Sequence, residues 1–351
     1  MSGGIKMRFD KQTSLKDIFS LDEFAPMKGL FIASENNFFT GDREKLTVEG
    51  LQRLQKTWAA SDMLVGLERL YDVARTEEQY VFPIYNSEET ARDQHRKQAQ
   101  LIWLPTACRT TNTFALLMAG GAYGAVCTMV ESLPVAAQLN ELGMDCFCLS
   151  YRTASADSSI HGLMPAPLDD MAAALRFIQT HPNVFHLDTT DYVAGGFSAG
   201  GHLAATWGTV YLGARKYGLP QPKALLLGYP LLSFLNIPAG PTRDYIMQGL
   251  FGTGYNSRLA FDYSPCLHVD EAYPPVYLVK AKDDDAVPDK DAADMEASLL
   301  RQRVPYCYDI AQSGGHGFGL GSETPARDWV KRALIWMDGL KDNPGDFKAI
   351  H

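Results

Sequence analysis

The sequence predicts an α/β protein: a mostly parallel central sheet with helices on both faces. Three observations carry that reading. Apolar runs without alternation, such as Ala224-Leu225-Leu226-Leu227 and Val276-Tyr277-Leu278-Val279, read as strands buried on both sides. Helical patterns separate such strands from about residue 78 onward. Finally, Gly196-Phe197-Ser198-Ala199-Gly200 follows a strand and runs into a helix. In that context G-x-S-x-G makes a sharp turn that lifts a serine hydroxyl above the end of a sheet.

Taken in order, residues 1–77 form a helical lead-in. Leu51, Leu54 and Trp58 recur at helical spacing, as do Met63, Leu67, Leu70, Tyr71 and Ala74, with Thr47 and Ser61 as N-caps. A less regular run with Phe31, Asn36, Asn37, Phe38 and Phe39 precedes them. Residues 78–351 form the second unit. Strands are expected at 79–84, 98–104, 113–118, 144–151, 191–195, 224–227, 276–281 and 306–310. Helices are expected at 168–180, 199–217, 290–303 and 325–340, the last with Thr324 as N-cap and Pro325 in first position. One long connection, about 232–274, carries prolines and aromatics and reads as a cap-like insertion over the site.

Composition narrows the class. With 46% hydrophobic and 21% charged residues and a formal charge of −9, the chain has the balance of a soluble protein, and nothing in it suggests a nucleic-acid partner. The start, M-S-G-G-I-K-M-R-F-D, lacks the apolar core of a signal peptide, and no membrane-spanning apolar run exists. A cytoplasmic, reduced location is expected. Cys146 and Cys148 alternate along one strand and read as small buried hydrophobes, with no zinc-ligand spacing.

A serine hydroxyl needs a base at neutral pH. Of eight histidines, His316 stands out in S-G-G-H-G-F-G, after the last expected strand and before the final helix. His202 lies one helical turn beyond Ser198 and reads as a packing histidine. His95, His161, His181, His186, His268 and His351 read as surface or terminal positions. The base needs a carboxylate, and Asp283, Asp284 and Asp285 stand in a row after the strand V-Y-L-V-K-A; spacing alone does not choose among them. An oxyanion needs N–H donors. Ala199 supplies one, and the loop Ala119-Gly120-Gly121-Ala122-Tyr123-Gly124 follows an early strand in the right place for others. That loop lacks G-x-G-x-x-G, so no nucleotide is expected, and neither a cofactor nor a metal.

Together G-F-S-A-G-G-H-L, A-G-G-A-Y, D-D-D-A-V-P and G-G-H-G-F-G resemble the α/β-hydrolase superfamily. The resemblance covers about residues 78–340 and is closest to the acetyl esterase and acetyl xylan esterase-like serine esterases, neighbours of the hormone-sensitive-lipase group. It implies a triad of Ser198, His316 and Asp284, the acid selected by the family's D-x-x-V-P pattern. It also implies an oxyanion hole from Gly121, Ala122 and Ala199. Two departures stand out: Ala119 and Ala122 replace the first residue and the third glycine of the family's H-G-G-G stretch. The expected function is hydrolysis of short-acyl esters of small molecules, acetyl groups on sugars included. Phe38, Phe39, Tyr245, Phe251, Tyr255, Phe261 and Tyr263 are candidate pocket residues. The lead-in is expected to act as a cap or as the contact of a homodimer. A peptidase or amidase on the same triad, and a non-catalytic binder on the same scaffold, are the alternatives.

Overall fold

A computed structural model describes residues 8–34, 38–39, 41–155, 157–187, 191–340 and 347–350; Asn36, Asn37 and His351 lie outside them. The strands among these residues are β1 (Val81–Pro83), β2 (Gln100–Leu104), β3 (Phe114–Met118), β4 (Cys146–Ser150), β5 (Tyr192–Phe197), β6 (Leu225–Gly228), β7 (Val276–Ala281), β8 (Tyr306–Ala311) and β9 (Phe347–Ile350). They form a 9-stranded sheet in the order β1-β2-β4-β3-β5-β6-β7-β8-β9. Pairing is antiparallel from β1 through β2 to β4, and parallel across the rest of the sheet. The apolar runs behave as expected for strands covered on both faces: every residue of β3, β4, β5, β6 and β7 is buried. This is the α/β-hydrolase fold.

Register positions the site. Met118 of β3 lies opposite Gly196 of β5, and Phe197 opposite Gly228 of β6. Three strand ends therefore finish level, and the loops that follow them meet over one edge of the sheet. Ser198 sits at the turn with φ 51° and ψ −117°, and the helix Ala199–Trp207 begins at once. The turn is possible only without side chains on its flanks. An ideal Cβ on Gly200 would overlap the Met118 carbonyl oxygen, and one on Gly196 would overlap that of Gly200.

Several boundaries differ from the sequence expectation for local reasons. The helix after Ser198 ends at Trp207 rather than running to Tyr217, because the chain folds back tightly: Gly213 N–H returns to the Thr209 carbonyl at 3.0 Å. The final helix is Trp329–Gly339, not 325–340. Thr324 Oγ1 accepts from Ala326 N–H at 3.0 Å in a separate turn, and Asp328, at φ 64°, breaks the backbone before the helix. Thr47 does cap Val48–Leu54, accepting from Gly50 N–H, but Trp58 lies beyond that helix. The next helix, Ala60–Thr76, starts after Ala59, so Ser61 lies inside it and donates to Glu323 at 2.9 Å. The strand β9 is absent from the sequence expectation altogether.

The lead-in is stitched to the sheet domain. The helix Ala60–Thr76 packs along the helix Ser132–Glu141, and Arg69 Nε donates to Asn140 Oδ1 at 2.8 Å across that contact. Ala33 and Val126 exchange two backbone hydrogen bonds, of 3.0 and 2.7 Å, and Met129 N–H donates to Phe31 O at 2.8 Å. The insertion between β6 and β7 carries the helices Pro241–Phe251 and Ser257–Asp262. The first of these is tied down by Leu163 N–H to Gly249 O and by Met164 N–H to Leu250 O. Among the described residues no helix is long and apolar enough to cross a membrane.

Replacing Gly200 by Ala places a methyl against two carbonyl oxygens and is expected to lower stability by about 3 kcal/mol or prevent folding. The midpoint of urea unfolding measures it; an unchanged midpoint would contradict the close approach.

Candidate active site

The strand-end loops bring the expected residues together. Ser198 is carried by the β5 turn, Asp284 by the loop after β7 and His316 by the loop after β8. Ser198 Oγ and His316 Nε2 are 2.8 Å apart, and His316 Nδ1 lies 2.9 and 3.1 Å from the two oxygens of Asp284. The tautomer follows from these partners. A carboxylate can only accept, so Nδ1 carries the proton and Nε2 presents its lone pair to the hydroxyl. The Asp284 side chain is fully shielded from solvent. Burial opposes its charge, yet His316 and the N–H groups of Val287 and Ala286 outweigh burial and hold the carboxyl below its usual range. The neighbouring aspartates do other things: Asp283 Oδ1 accepts the N–H of Gly315 at 2.8 Å, and Asp285 is exposed.

The loop expected to hold the oxyanion lies directly against the serine. An ideal Cβ on Gly120 would stand 2.7 Å from Ser198 Cβ, so only glycine fits there. The next residues turn sharply, with Gly124 N–H donating to Gly121 O at 2.9 Å. Ala122 and Tyr123, the centre of that turn, have φ of 51° and 59°. Left-handed backbone at residues with a Cβ costs about 1 kcal/mol each, so something must hold the turn. Among the described residues the N–H groups of Gly121, Ala122 and Ala199 donate to no protein acceptor, which leaves them available to a ligand.

The holding contact comes from His202. Its Nε2 faces the Tyr263 carbonyl at 2.7 Å and therefore bears the proton, and its Nδ1 accepts the Tyr123 hydroxyl at 2.6 Å. Burial pushes the imidazole down to about 4, so it stays neutral and keeps this tautomer. It is a packing histidine, as its place on the helix implies, and it also ties the oxyanion turn to the insertion. None of the other described histidines, His95, His161, His181, His186 and His268, is bonded to the triad.

Three further residues shape the site without standing out in the sequence reading. Thr57 Oγ1 donates to the His316 carbonyl at 2.7 Å, so the lead-in grips the histidine loop as well as the oxyanion loop. The Tyr229 ring packs edge-on against His316, with centroids 4.9 Å apart. Glu131 accepts the N–H of Gly120. Of these, Glu131 has a faint signal: it is the one charged residue in the largely apolar run from Val126 to Leu133.

A cavity of about 530 Å³ opens at Ala122 and Tyr123 and runs along the helix Pro241–Phe251. Phe38 and Tyr245 line it, whereas Phe39 and Tyr255 line other hollows. Phe251 packs between Phe234 and Tyr263, and Phe261 sits edge-on to His268. No group of His, Cys, Asp and Glu among the described residues is arranged to hold a metal ion.

Known proteins resemble this chain in sequence and in fold. Residues 102–299 match the BD-FAE family, a span that holds Ser198 and Asp284 and stops short of His316. The chain is 28% identical over 226 residues to an acetylxylan esterase of Xylanibacter ruminicola, covering 63% of this chain and 44% of that protein. It is 24% identical over 221 residues to endo-1,4-beta-xylanase B of Butyrivibrio fibrisolvens, covering 61% of this chain and 34% of that one. The chain thus spans less than half the length of either relative. Among solved structures, an acetyl ester-xyloside bifunctional hydrolase from Caldicellulosiruptor lactoaceticus superposes with a TM-score of 0.62 at 24% identity, over 74% of this chain and 96% of that one. Esterase B from Lactobacillus rhamnosis superposes with a TM-score of 0.59 at 16% identity, over 84% and 97%. These two likenesses concern the fold.

The buried imidazole gives a measurable pH dependence. Because His202 titrates at about 4 when folded against 6.5 in the unfolded chain, the stability it contributes is complete above about pH 6.5 and is lost as pH falls toward 4. The full loss is about 3 kcal/mol. Urea unfolding of the protein and of His202→Gln should show a gap in stability at neutral pH that narrows as pH approaches about 4. A constant gap would count against a buried neutral imidazole.

Proposed function

The chain belongs to the BD-FAE family, and from that premise we propose that it is a serine hydrolase of carboxylic esters. The observation that carries the reading is the continuous line from Asp284 through His316 to Ser198, with both hydrogen bonds already at bonding distance. In the proposed reaction His316 Nε2 takes the proton as Ser198 Oγ bonds to the ester carbonyl carbon. The N–H groups of Ala199, Gly121 and Ala122 receive the oxyanion, and Asp284 faces the imidazolium that forms. The imidazolium gives its proton to the departing alcohol, leaving an acyl-enzyme. Water then repeats the sequence and releases the acid.

Short acyl groups suit the loop facing the serine, where the Ala122 methyl stands in place of a hydrogen. The cavity that Ala122 and Tyr123 line, beside the loop facing the serine, supports a small alcohol half. Its described lining combines the rings of Phe38 and Tyr245 with the hydroxyls of Ser34, Ser155 and Ser159 and the amide of Gln248, and carries no charged side chain. Rings and neutral hydrogen-bonding groups suit a sugar, and the acetylxylan esterase relative supports acetyl esters of sugars as the substrate class. The complete triad favours an enzyme over a non-catalytic binder.

Ser198→Ala is expected to reduce p-nitrophenyl acetate turnover about ten-thousandfold or more while the melting curve stays close to that of the parent. Retained turnover would refute the nucleophile. Along a series of p-nitrophenyl esters kcat/KM is expected to be greatest for acetate; a maximum at octanoate would refute the short-acyl reading.

A further inference from the structure

Behind Ser198 lies a carboxylate that the triad does not use. Glu131 is 3% exposed and closes the oxyanion loop at the start of the helix Ser132–Glu141. Its Oε2 accepts the N–H of Gly120, and its Oε1 accepts the Tyr229 hydroxyl at 2.9 Å. The Tyr229 oxygen in turn accepts the N–H of Gly319 at 2.8 Å, so its single proton is committed to Glu131. Both carboxylate oxygens thus face donors, which is the arrangement of an ionised group.

The position is close to the chemistry. The point where a Cβ on Gly120 would stand lies 2.7 Å from Ser198 Cβ and 3.1 Å from Glu131 Oε2. Tyr229 spans the remaining gap, its hydroxyl on Glu131 and its ring edge-on to His316. Tyr229 is itself held at φ 36°, a left-handed backbone unusual for an aromatic residue. The titratable groups that bear on Glu131 are His316, Tyr229, Cys127 and Tyr151; among the described residues the opposite charge acting on it is that of protonated His316. Burial pushes its carboxyl up, and the Gly120 and Tyr229 hydrogen bonds and His316 offset that only in part, so it stays above its usual range. A buried carboxylate without a permanent counter-ion is costly, so packing alone would be served better by a neutral side chain.

We propose that Glu131 is a positioning residue of the hydrolytic site. One buried carboxylate fastens the oxyanion loop at Gly120 and, through Tyr229, the histidine loop at Gly319 to a single anchor. It also sets negative charge near an imidazole that must become positive in the transition state. This inference rests on the ester-hydrolase reading.

Glu131→Gln tests it with almost no change of volume. Both partners donate, so the amide NH₂ of glutamine must face one donor, and the charge is lost with it. The expected result is a fall in kcat of about tenfold or more with KM within about threefold. The acidic limb of the kcat/KM profile should move to lower pH, because removal of a nearby negative charge makes the imidazole lose its proton more readily. A loss of packing alone would leave that limb in place. Tyr229→Phe breaks the link to Glu131 and Gly319 but keeps the ring; it too should lower kcat, and the double variant should lose less than the product of the two single losses. Wild-type kcat and an unmoved acidic limb in Glu131→Gln would overturn the inference. Should that variant not fold, wild-type kcat in Tyr229→Phe would overturn it. The parent and Ser198→Ala, run beside them on p-nitrophenyl acetate, separate the two levels. Turnover that depends on Ser198 with an indifferent Glu131 removes this inference alone, and absence of turnover in the parent removes both.

Discussion

Everything at this site depends on how closely backbone can approach backbone at the end of β5. The carbonyl oxygens of Met118 and Ala119 occupy the space where a side chain on Gly200 would be. That contact lets the helix Ala199–Trp207 start immediately beyond the strand and forces Ser198 into φ 51°. The hydroxyl is thereby set on the rim, within reach of loops from either side. Were the helix a side chain's width further away, Gly120 would no longer abut Ser198, and the N–H groups after it would point into open solvent. The strain at Ser198 is a consequence of packing density around it, and the site inherits its rigidity from the sheet.

The loops that meet this serine are held by different means. His316 is fixed by polar contacts on several sides: Asp284 at Nδ1, Thr57 at its carbonyl and Asp283 through the preceding Gly315. The turn at Ala122 and Tyr123, with two non-glycine residues in left-handed backbone, is held by His202 through Tyr123 and by the strand-like contact between Ala33 and Val126. Alanine at position 122 is tolerated because the turn is fixed by its neighbours rather than by its own backbone preference.

What is legible in the sequence is whatever is local. The turn at Ser198 and the glycine-flanked His316 are written in a few adjacent residues, and the continuous apolar strands need no partner to be recognised. Asp284 stands between two other aspartates, and only family pattern separates them. The structure gives the difference a cause, since Asp283 is spent on a backbone N–H and Asp285 faces water. Thr324 and Pro325 have the right chemistry for a helix start, yet tertiary contact, with Trp329 Nε1 donating to Gly319 O at 3.1 Å, decides where the last helix begins. The link between Glu131 and Tyr229 is invisible for the same reason: 98 positions separate them, and neither spacing nor motif records that they touch.

The clasp between the lead-in and the histidine loop has a temporal side. Thr57 and His316 are 259 positions apart, while Ser198 and His316 are 118 apart. As the chain is synthesised, the serine turn, the oxyanion loop and the segment that braces it can all assemble while the base is still unmade. Until the loop after β8 is made, the Ser198 hydroxyl lacks the partner it has at His316 Nε2. That contact closes a loop of 118 positions, and long-range closures of this kind cost more chain entropy than local ones.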